Sequence, residues 1–551
     1  MALDAGSELN AGEAKGLDVA MPSGKEVHND QQIVEPALNE KHAYNNSDHE
    51  SGIPSDDTED DYGARPACFR NTAQEFLFVF IATMAMGMNP FLMGTTTVIP
   101  EIVSRALNMS QAEVTWFTAS SSLASGAFLL FFGRIADLFG QKWMIVLSFF
   151  FFSVFSLAAG FAKTPIVLDV LNGVLGLLSA AAVPPAQGKL SKIYGKPSRR
   201  KNAAFACFSA GNPVGFAMGM VFAGIATQLL GWRASFYLLA IIYLVLAVAA
   251  VFCVPADTIS RRTLEWSIVK QLDLVGMVLT IAGIGMFSAA LSLGSGAPQG
   301  WKTDYVLATL IIGFVLIICF VFWEKFYSHP LMPMHIWKDK NFSLLMTILT
   351  LGFMAFPPAS FFIALFFQRI WNFTALESAV HLLPLAIMGI IVNVFAGAFM
   401  HRINNKLLMF IGAFSYTISF LLLALNRTSS SYWAFCFPSF LLTVIGADLE
   451  FNVANMYVMT QLPDDQQGIA GGIFQTVTRL FTTIGFGLIT AVFDAVAKKP
   501  SLGGYYREYP ESQPYSAAFW YATGAAGLST VFVLFLTIGT QGGRVKSGGA
   551  S

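Results

Sequence analysis

Ionisable side chains are scarce within the long apolar stretches of this 551-residue chain, and those present are the first candidates for chemistry. The densest set straddles the Leu462-Pro463 turn: Asp448, Glu450, Asn452 and Asn455 precede it, and Gln475 and Arg479 follow it. Asp448 stands 15 residues before Pro463 and Arg479 stands 16 after it. In two antiparallel helices joined at that turn, both lie roughly 20 Å from it at about 1.5 Å per residue. Asp448, Asn452 and Asn455 follow an i, i+4, i+7 spacing and share a helix face, whereas Glu450 points about 200° away. A carboxylate on such a face can exchange a proton, and a nearby guanidinium biases that exchange. The set is therefore a candidate for proton coupling or substrate binding; the alternative is a structural Asp448–Arg479 ion pair holding the hairpin. Two other groups carry less: His381 reads as packed or interfacial, and Asp169 as solvated near an outer mouth.

The elements that position these residues are helices in a bilayer. The chain is 55% hydrophobic, 14% aromatic and only 12% charged, with a mean hydropathy of +0.58, too apolar for a soluble protein of this length. Apolar stretches of spanning length fall at about 75–100, 113–132, 143–162, 165–187, 203–226 and 234–254, then 274–294 and 304–323. Six more follow at about 342–367, 378–400, 406–425, 432–458, 468–493 and 516–539. The expectation is an all-α membrane protein of about fourteen spans, with twelve as the alternative if one weak pair is re-entrant. The domains expected are an acidic, disordered cytosolic tail over 1–72, a six-helix bundle over 73–254, a linker with two inserted helices over 255–325, a second six-helix bundle over 326–540, and a cytosolic tail over 541–551. The first stretch able to enter a bilayer begins near Glu75, too late for a cleavable signal peptide.

The five cysteines have no close spacing, and with no His cluster or Gly-rich phosphate loop the pattern predicts no metal, no cofactor and no enzyme. The expected partners are a small-molecule substrate, protons and the lipid bilayer, with no nucleic acid and a monomeric state. With a cytosolic start, the inner loops collect the cluster Lys189, Lys192, Lys196, Arg199, Arg200 and Lys201, together with Arg261, Arg262, Lys325, Lys338 and Lys340. The outer loops collect roughly half as many basic residues, which places both termini inside. Sequons at Asn108, Asn372 and Asn426 then fall outside and are glycosylation candidates.

Between the second and third spans runs Gly133-Arg134-Ile135-Ala136-Asp137-Leu138-Phe139-Gly140-Gln141-Lys142-Trp143. Its glycines allow a tight reversal, and Asp137 is placed to cap the next helix. Gly397 to Lys406 aligns with Gly133 to Lys142 without gaps, glycine to glycine and lysine to lysine, with Arg402 between, after the second span of the second six. The loop resembles the signature of the major facilitator superfamily. That resemblance implies two six-helix bundles rocking about a central site, with Gly133, Asp137, Gly140, Lys142, Gly397, Arg402 and Lys406 in conformational loops.

Several stretches narrow the likeness. Leu272-Asp273, Pro330-Leu331-Met332-Pro333, Gly446-Ala447-Asp448, Leu462-Pro463-Asp464-Asp465 and Gly504-Tyr505-Tyr506-Arg507 resemble the fourteen-helix drug:proton antiporter branch. Within it the stretches at Gly446, Leu462 and Gly504 are similar to fungal aminotriazole-resistance exporters and related low-affinity ammonium transporters. In the fourth span Asn172 stands where that resemblance implies a coupling arginine. In the fifth, Gly211, Pro213, Gly215 and Gly219 match a motif that the resemblance ties to export; their spacing allows a close helix crossing and a bend. Aromatic runs at Phe356–Phe362 and Trp116–Ser122 could wall a site for a flat organic compound. The resemblance implies export of small organic toxins, drugs or metabolites by proton antiport at the cell membrane or the vacuole. The alternatives are transport of ammonium or borate, and a transporter-like nutrient sensor. The topology has a direct check. In a background without native cysteines, an impermeant thiol reagent added outside should tag Ser295→Cys and miss His335→Cys; the reverse pattern overturns fourteen spans.

Overall fold

The computed structural model describes residues 65–66, 68–194, 199–257, 273–294, 297, 299–327, 334–400, 403–460, 467–499 and 510–539. For some helical residues, among them Arg134, Asp137 and Gly397, only the backbone is described. Most of the acidic tail, the C-terminal tail from 540, residues 258–272 and Arg402 lie outside the described residues.

Fourteen long helices are described. The first six are α1 (Thr72–Val98), α2 (Gln111–Phe139), α3 (Lys142–Gly160), α4 (Pro165–Ile193), α5 (Arg199–Leu230) and α6 (Trp232–Cys253). Two more, α7 (Leu274–Leu293) and α8 (Asp304–Phe326), lead to α9 (Lys340–Arg369), α10 (Ala375–Phe399), α11 (Asn405–Ala424), α12 (Tyr432–Thr460), α13 (Gln467–Lys498) and α14 (Gln513–Leu534). A helix satisfies its own backbone hydrogen bonds, which hydrocarbon cannot do for it. Among the described residues, thirteen helices are long and apolar enough to cross a membrane. Helix α2, 29 residues long, carries Thr118, Ser120, Ser121, Ser122 and Ser125, all buried against other helices. Several helices outrun their apolar cores at the inner end, α2 and α4 most visibly, because backbone hydrogen bonding continues past the point where hydropathy falls.

The two six-helix bundles repeat one plan. Pairings α1 with α5, α2 with α4 and α3 with α6 recur as α9 with α13, α10 with α12 and α11 with α14. The second helix of each half also starts with a capping box, Ser110 with Glu113 in α2 and Thr374 with Glu377 in α10. The halves meet along α2 with α13 and α5 with α10. Helix α7 packs against α13 and α2, and α8 packs on α7 with its outer face bare of protein.

Glycines let α1 and α5 touch backbone to backbone. A Cβ built on Gly215 would stand 2.8 Å from the Gly87 Cα, and one on Gly87 would stand 2.7 Å from the Gly211 carbonyl oxygen. Gly219 meets the Phe91 backbone in the same way. The fifth-helix glycines are thus the crossing itself.

The loop between α2 and α3 departs from expectation. Helix α2 runs through Phe139, so Asp137 lies in its last turn and does not cap α3. The carboxylate at the start of α3 is Asp257, from just beyond α6, whose Oδ2 accepts from the Lys142 amide at 3.0 Å. Its Oδ1 pairs with Lys189 Nζ at 2.8 Å. Gly140 turns the chain at φ +102°, where a Cβ would also strike Asp257 Oδ2 at 2.7 Å. In the second half Asn404 Oδ1 accepts from the Lys406 amide at 2.9 Å, and Lys406 Nζ reaches the Leu534 carbonyl at the end of α14. In each half the start of the third helix is thus tied to the end of the sixth, by the Lys142 amide in the first and the Lys406 ammonium in the second.

Burial alone would raise the Asp257 carboxyl, but the Lys189 ammonium and the Lys142 and Gln141 amides outweigh it and hold it below its ordinary value. A lowered folded-state value means the stabilisation is fully present above about pH 3.9 and is lost as pH falls through the lower folded-state value. Asp257→Asn should therefore lower the unfolding midpoint by a few degrees at neutral pH, with the gap to the unaltered protein closing on acidification. A gap that stays constant to low pH refutes the pairing.

Candidate functional site

A cavity of about 190 Å³ lies between the halves. Helices α1, α2 and α5 wall one side, and α9, α10, α12 and α13 wall the other. Phe216, Phe353, Phe356 and Phe451 supply its aromatic surface. Asp448, Asn452, Asn455, Gln475 and Arg479 line it with polar groups, beside Asn212, Asn393 and several hydroxyls.

Helical periodicity decides which carboxylate reaches this space. Asp448, Asn452 and Asn455 face it, whereas Glu450 is fully buried inside the second bundle. There Glu450 Oε1 accepts from Ser529 Oγ of α14 at 3.3 Å, and Oε2 packs toward Gly352 of α9 and the Tyr416 ring side of α11. Asp448 Oδ2 has no partner, and the neighbouring Asn393 of α10 donates through Nδ2 to its own helix at the Gly389 carbonyl, 2.9 Å away. Asn452 Nδ2 is shared between the Asp448 carbonyl at 2.8 Å and Asn393 Oδ1 at 3.2 Å.

Arg479 does not pair with Asp448. Its Nη1 donates to Asn89 Oδ1 and lies 3.8 Å from Met93 Sδ, both on α1. Equal depth along two helices was not enough, because the rotation of α13 turns Arg479 across the cavity toward the first half. Asn89 and Asn393 did not emerge from the sequence reading. Their signal is a lone amide within each apolar run, away from the carboxylates and arginine that mark the α12–α13 set.

On α4, Asn172 is fully buried and donates through Nδ2 to the Phe117 carbonyl at 3.1 Å, so the position presents an amide where a guanidinium was expected. Asp169 is 7% exposed, not solvated as the sequence suggested, because α2 covers it. Pro213 lines the cavity from α5 and packs on Gly389 of α10, at 3.1 Å from a Cβ built there. His381 is half-buried in an aromatic cluster with Phe373 and Tyr432. Of the sequons, Asn108 and Asn372 are exposed at the outer end. Asn426 is 4% exposed, and with its amide enclosed it cannot carry a glycan in this fold.

Between described residues, the polar contacts that join the halves gather in the cavity and at the outer end. Arg369, at the end of α9, pairs with Glu101 of the short helix Pro100–Leu107 and donates to Gln111 Oε1 at 2.6 Å. Gln368 Nε2 donates to the Val98 carbonyl at 2.6 Å, and Thr490 of α13 donates to Thr115 of α2 at 2.9 Å. These contacts latch the outer end shut. Glu101→Gln leaves Arg369 without its counter-ion, so a cysteine at Ser360 in the cavity should react with external impermeant reagent several-fold faster. An unchanged rate would show that the latch does not hold the closed state.

A sequence model described as Major Facilitator Superfamily matches residues 76–486. The low affinity ammonium transporter of Saccharomyces cerevisiae is 29% identical over 75% of this chain and 80% of its own length. Efflux pump terJ of Aspergillus terreus is 26% identical over 75% of this chain and 80% of its own length. The aminotriazole resistance protein of Saccharomyces cerevisiae is 25% identical over 77% of this chain and 78% of its own length.

Proposed function

The chain belongs to the major facilitator superfamily, a multi-pass membrane transporter, and on that premise we propose that it exports small aromatic organic compounds in exchange for protons. One observation carries this reading: a cavity between the halves joins four phenylalanines to a single cavity-facing carboxylate, Asp448. The phenylalanines suit the faces of a flat solute, and the amides of Asn455 and Gln475 suit its edges. The relatives named as an efflux pump and a resistance protein support the direction of transport.

Asp448 is the group proposed to couple export to protons. As a carboxylate it accepts a charge-assisted hydrogen bond from the solute; protonated, it loses the charge and accepts more weakly, so proton and solute compete for one site. Asn172 cannot titrate, and the carboxylate of the same helix, Asp169, does not line the cavity. A second reading, transport of ammonium or borate, draws on the oxygens of Asp448, Asn452 and Asn455 and on the relative named as an ammonium transporter. Arg479 in the same cavity opposes a small cation there. A growth screen of an efflux-deficient yeast across organic toxins, borate and an ammonium analogue separates the two readings.

Asp448→Asn keeps size and removes titration. In vesicles it should abolish the dependence of export on a pH gradient while downhill exchange partly survives, whereas Glu450→Gln, outside the cavity, should retain that dependence. Full gradient-driven export by Asp448→Asn would move coupling to another helix.

A further inference from the structure

The cavity holds a charge that the protein itself does not answer. A guanidinium stays charged at any accessible pH. The Arg479 group nevertheless rests on a neutral amide oxygen, Asn89 Oδ1, and a thioether, with no ion pair to a described carboxylate. Beside it Asn89 is 1% exposed, and its Nδ2 donor has no partner. Arg479 thus lines a cavity set deep between helices with no counter-ion, backed by an amide whose own donor is unpartnered.

An isolated charge in such surroundings is costly, and a carboxylate among the neighbouring helices would relieve it. Here the one cavity-facing carboxylate, Asp448, instead sits on α12 and keeps Oδ2 without a partner. The cavity is therefore dipolar, with the Arg479 cation on the α13 side, the Asp448 carboxylate on the α12 side, and Phe216, Phe353, Phe356 and Phe451 in its walls. Its electrostatic complement is a molecule with the opposite arrangement.

We propose that the transported compound is a small aromatic acid or zwitterion. Its anionic group is held by Arg479, its ring lies against the phenylalanines, and a hydroxyl or amine on it donates to Asp448. This rests on the reading of the cavity as the substrate site of an exporter, and it names the chemical class that the site selects. An acid that also carries a donor satisfies both unpaired ends at once. A simple cation satisfies only Asp448 and is repelled by Arg479.

Three probes on one indole frame test this: indole-3-acetate, indole-3-acetamide and tryptamine, which are anionic, neutral and cationic at neutral pH. Equilibrium dialysis against the full chain in lipid nanodiscs should show indole-3-acetate binding about tenfold or more tighter than either of the others, the order expected of a charge-assisted hydrogen-bonded pair. Arg479→Gln should erase that preference by weakening indole-3-acetate alone, and Arg479→Lys should keep part of it. If Arg479→Gln does not fold, the ranking on the unaltered protein and on Arg479→Lys still decides. Tryptamine or indole-3-acetamide binding as tightly as indole-3-acetate overturns the assignment, as does a preference that survives Arg479→Gln. Failure of all three to bind overturns both the assignment and the aromatic-substrate reading. Binding of indole-3-acetate without its efflux from vesicles overturns export and leaves the anion site standing.

Discussion

The contact between α1 and α5 sets the dimensions of everything the cavity does. Lipid offers no hydrophobic reward for bringing two apolar helices together, so association there depends on how closely the backbones approach. Gly87 on one helix and Gly211, Gly215 and Gly219 on the other remove the side chains that would hold the helices apart. With α5 seated this deeply, Pro213 and Phe216 turn toward the second half, and Pro213 comes to rest on Gly389 of α10. A single added methyl at Gly215 would push α5 toward α10 and narrow the space between them. The same residues thus serve packing and the shape of the site.

Much of this was legible along the chain. Hydropathy locates the helices because each must hide its backbone within one segment, and the repeat of the α2–α3 loop at Gly397–Lys406 reflects a duplication that the helix pairings repeat. The separation of Asp448 from Glu450 also follows from periodicity, since two residues turn a helix by more than half a revolution. What escaped notice depends on contacts that cross sequence distance. Asp257 caps α3 from 115 residues downstream, and the partner of Arg479 lies 390 residues upstream. Depth along a helix can be counted from a turn, but rotation about its axis is set by neighbours. That is why Arg479 meets Asn89 and not Asp448. Asn426 reads as an exposed sequon for the same reason: its burial belongs to the helices folded over it.

Two carboxylates two residues apart on α12 illustrate how environment assigns roles. Glu450 is enclosed by α9, α11 and α14, with a serine hydroxyl as its hydrogen-bond donor and no route to the cavity through its own face. Asp448 faces the space between the halves, where its surroundings change whenever the halves move. Only the second kind of position can sense both solute and conformation. A group sealed within one rigid bundle keeps the same neighbours in every state.

Helix α9 connects that sensing position to the outer latch. It contributes Phe353, Phe356 and Ser360 to the cavity, and a little over two turns beyond Ser360 it carries Gln368 and Arg369, which clasp Val98, Glu101 and Gln111 of the first half. Pro357 and Pro358 lie inside this continuous helix at the level of the cavity, where they remove backbone donors. A solute pressing on the phenylalanines therefore acts on a helix whose weakest turn lies beside it and whose far end holds the latch. Coupling in this arrangement needs no relay of side chains. It needs only that the solute-bound cavity and the latched outer end favour different inclinations of the same helix, so that occupancy of one shifts the population of the other.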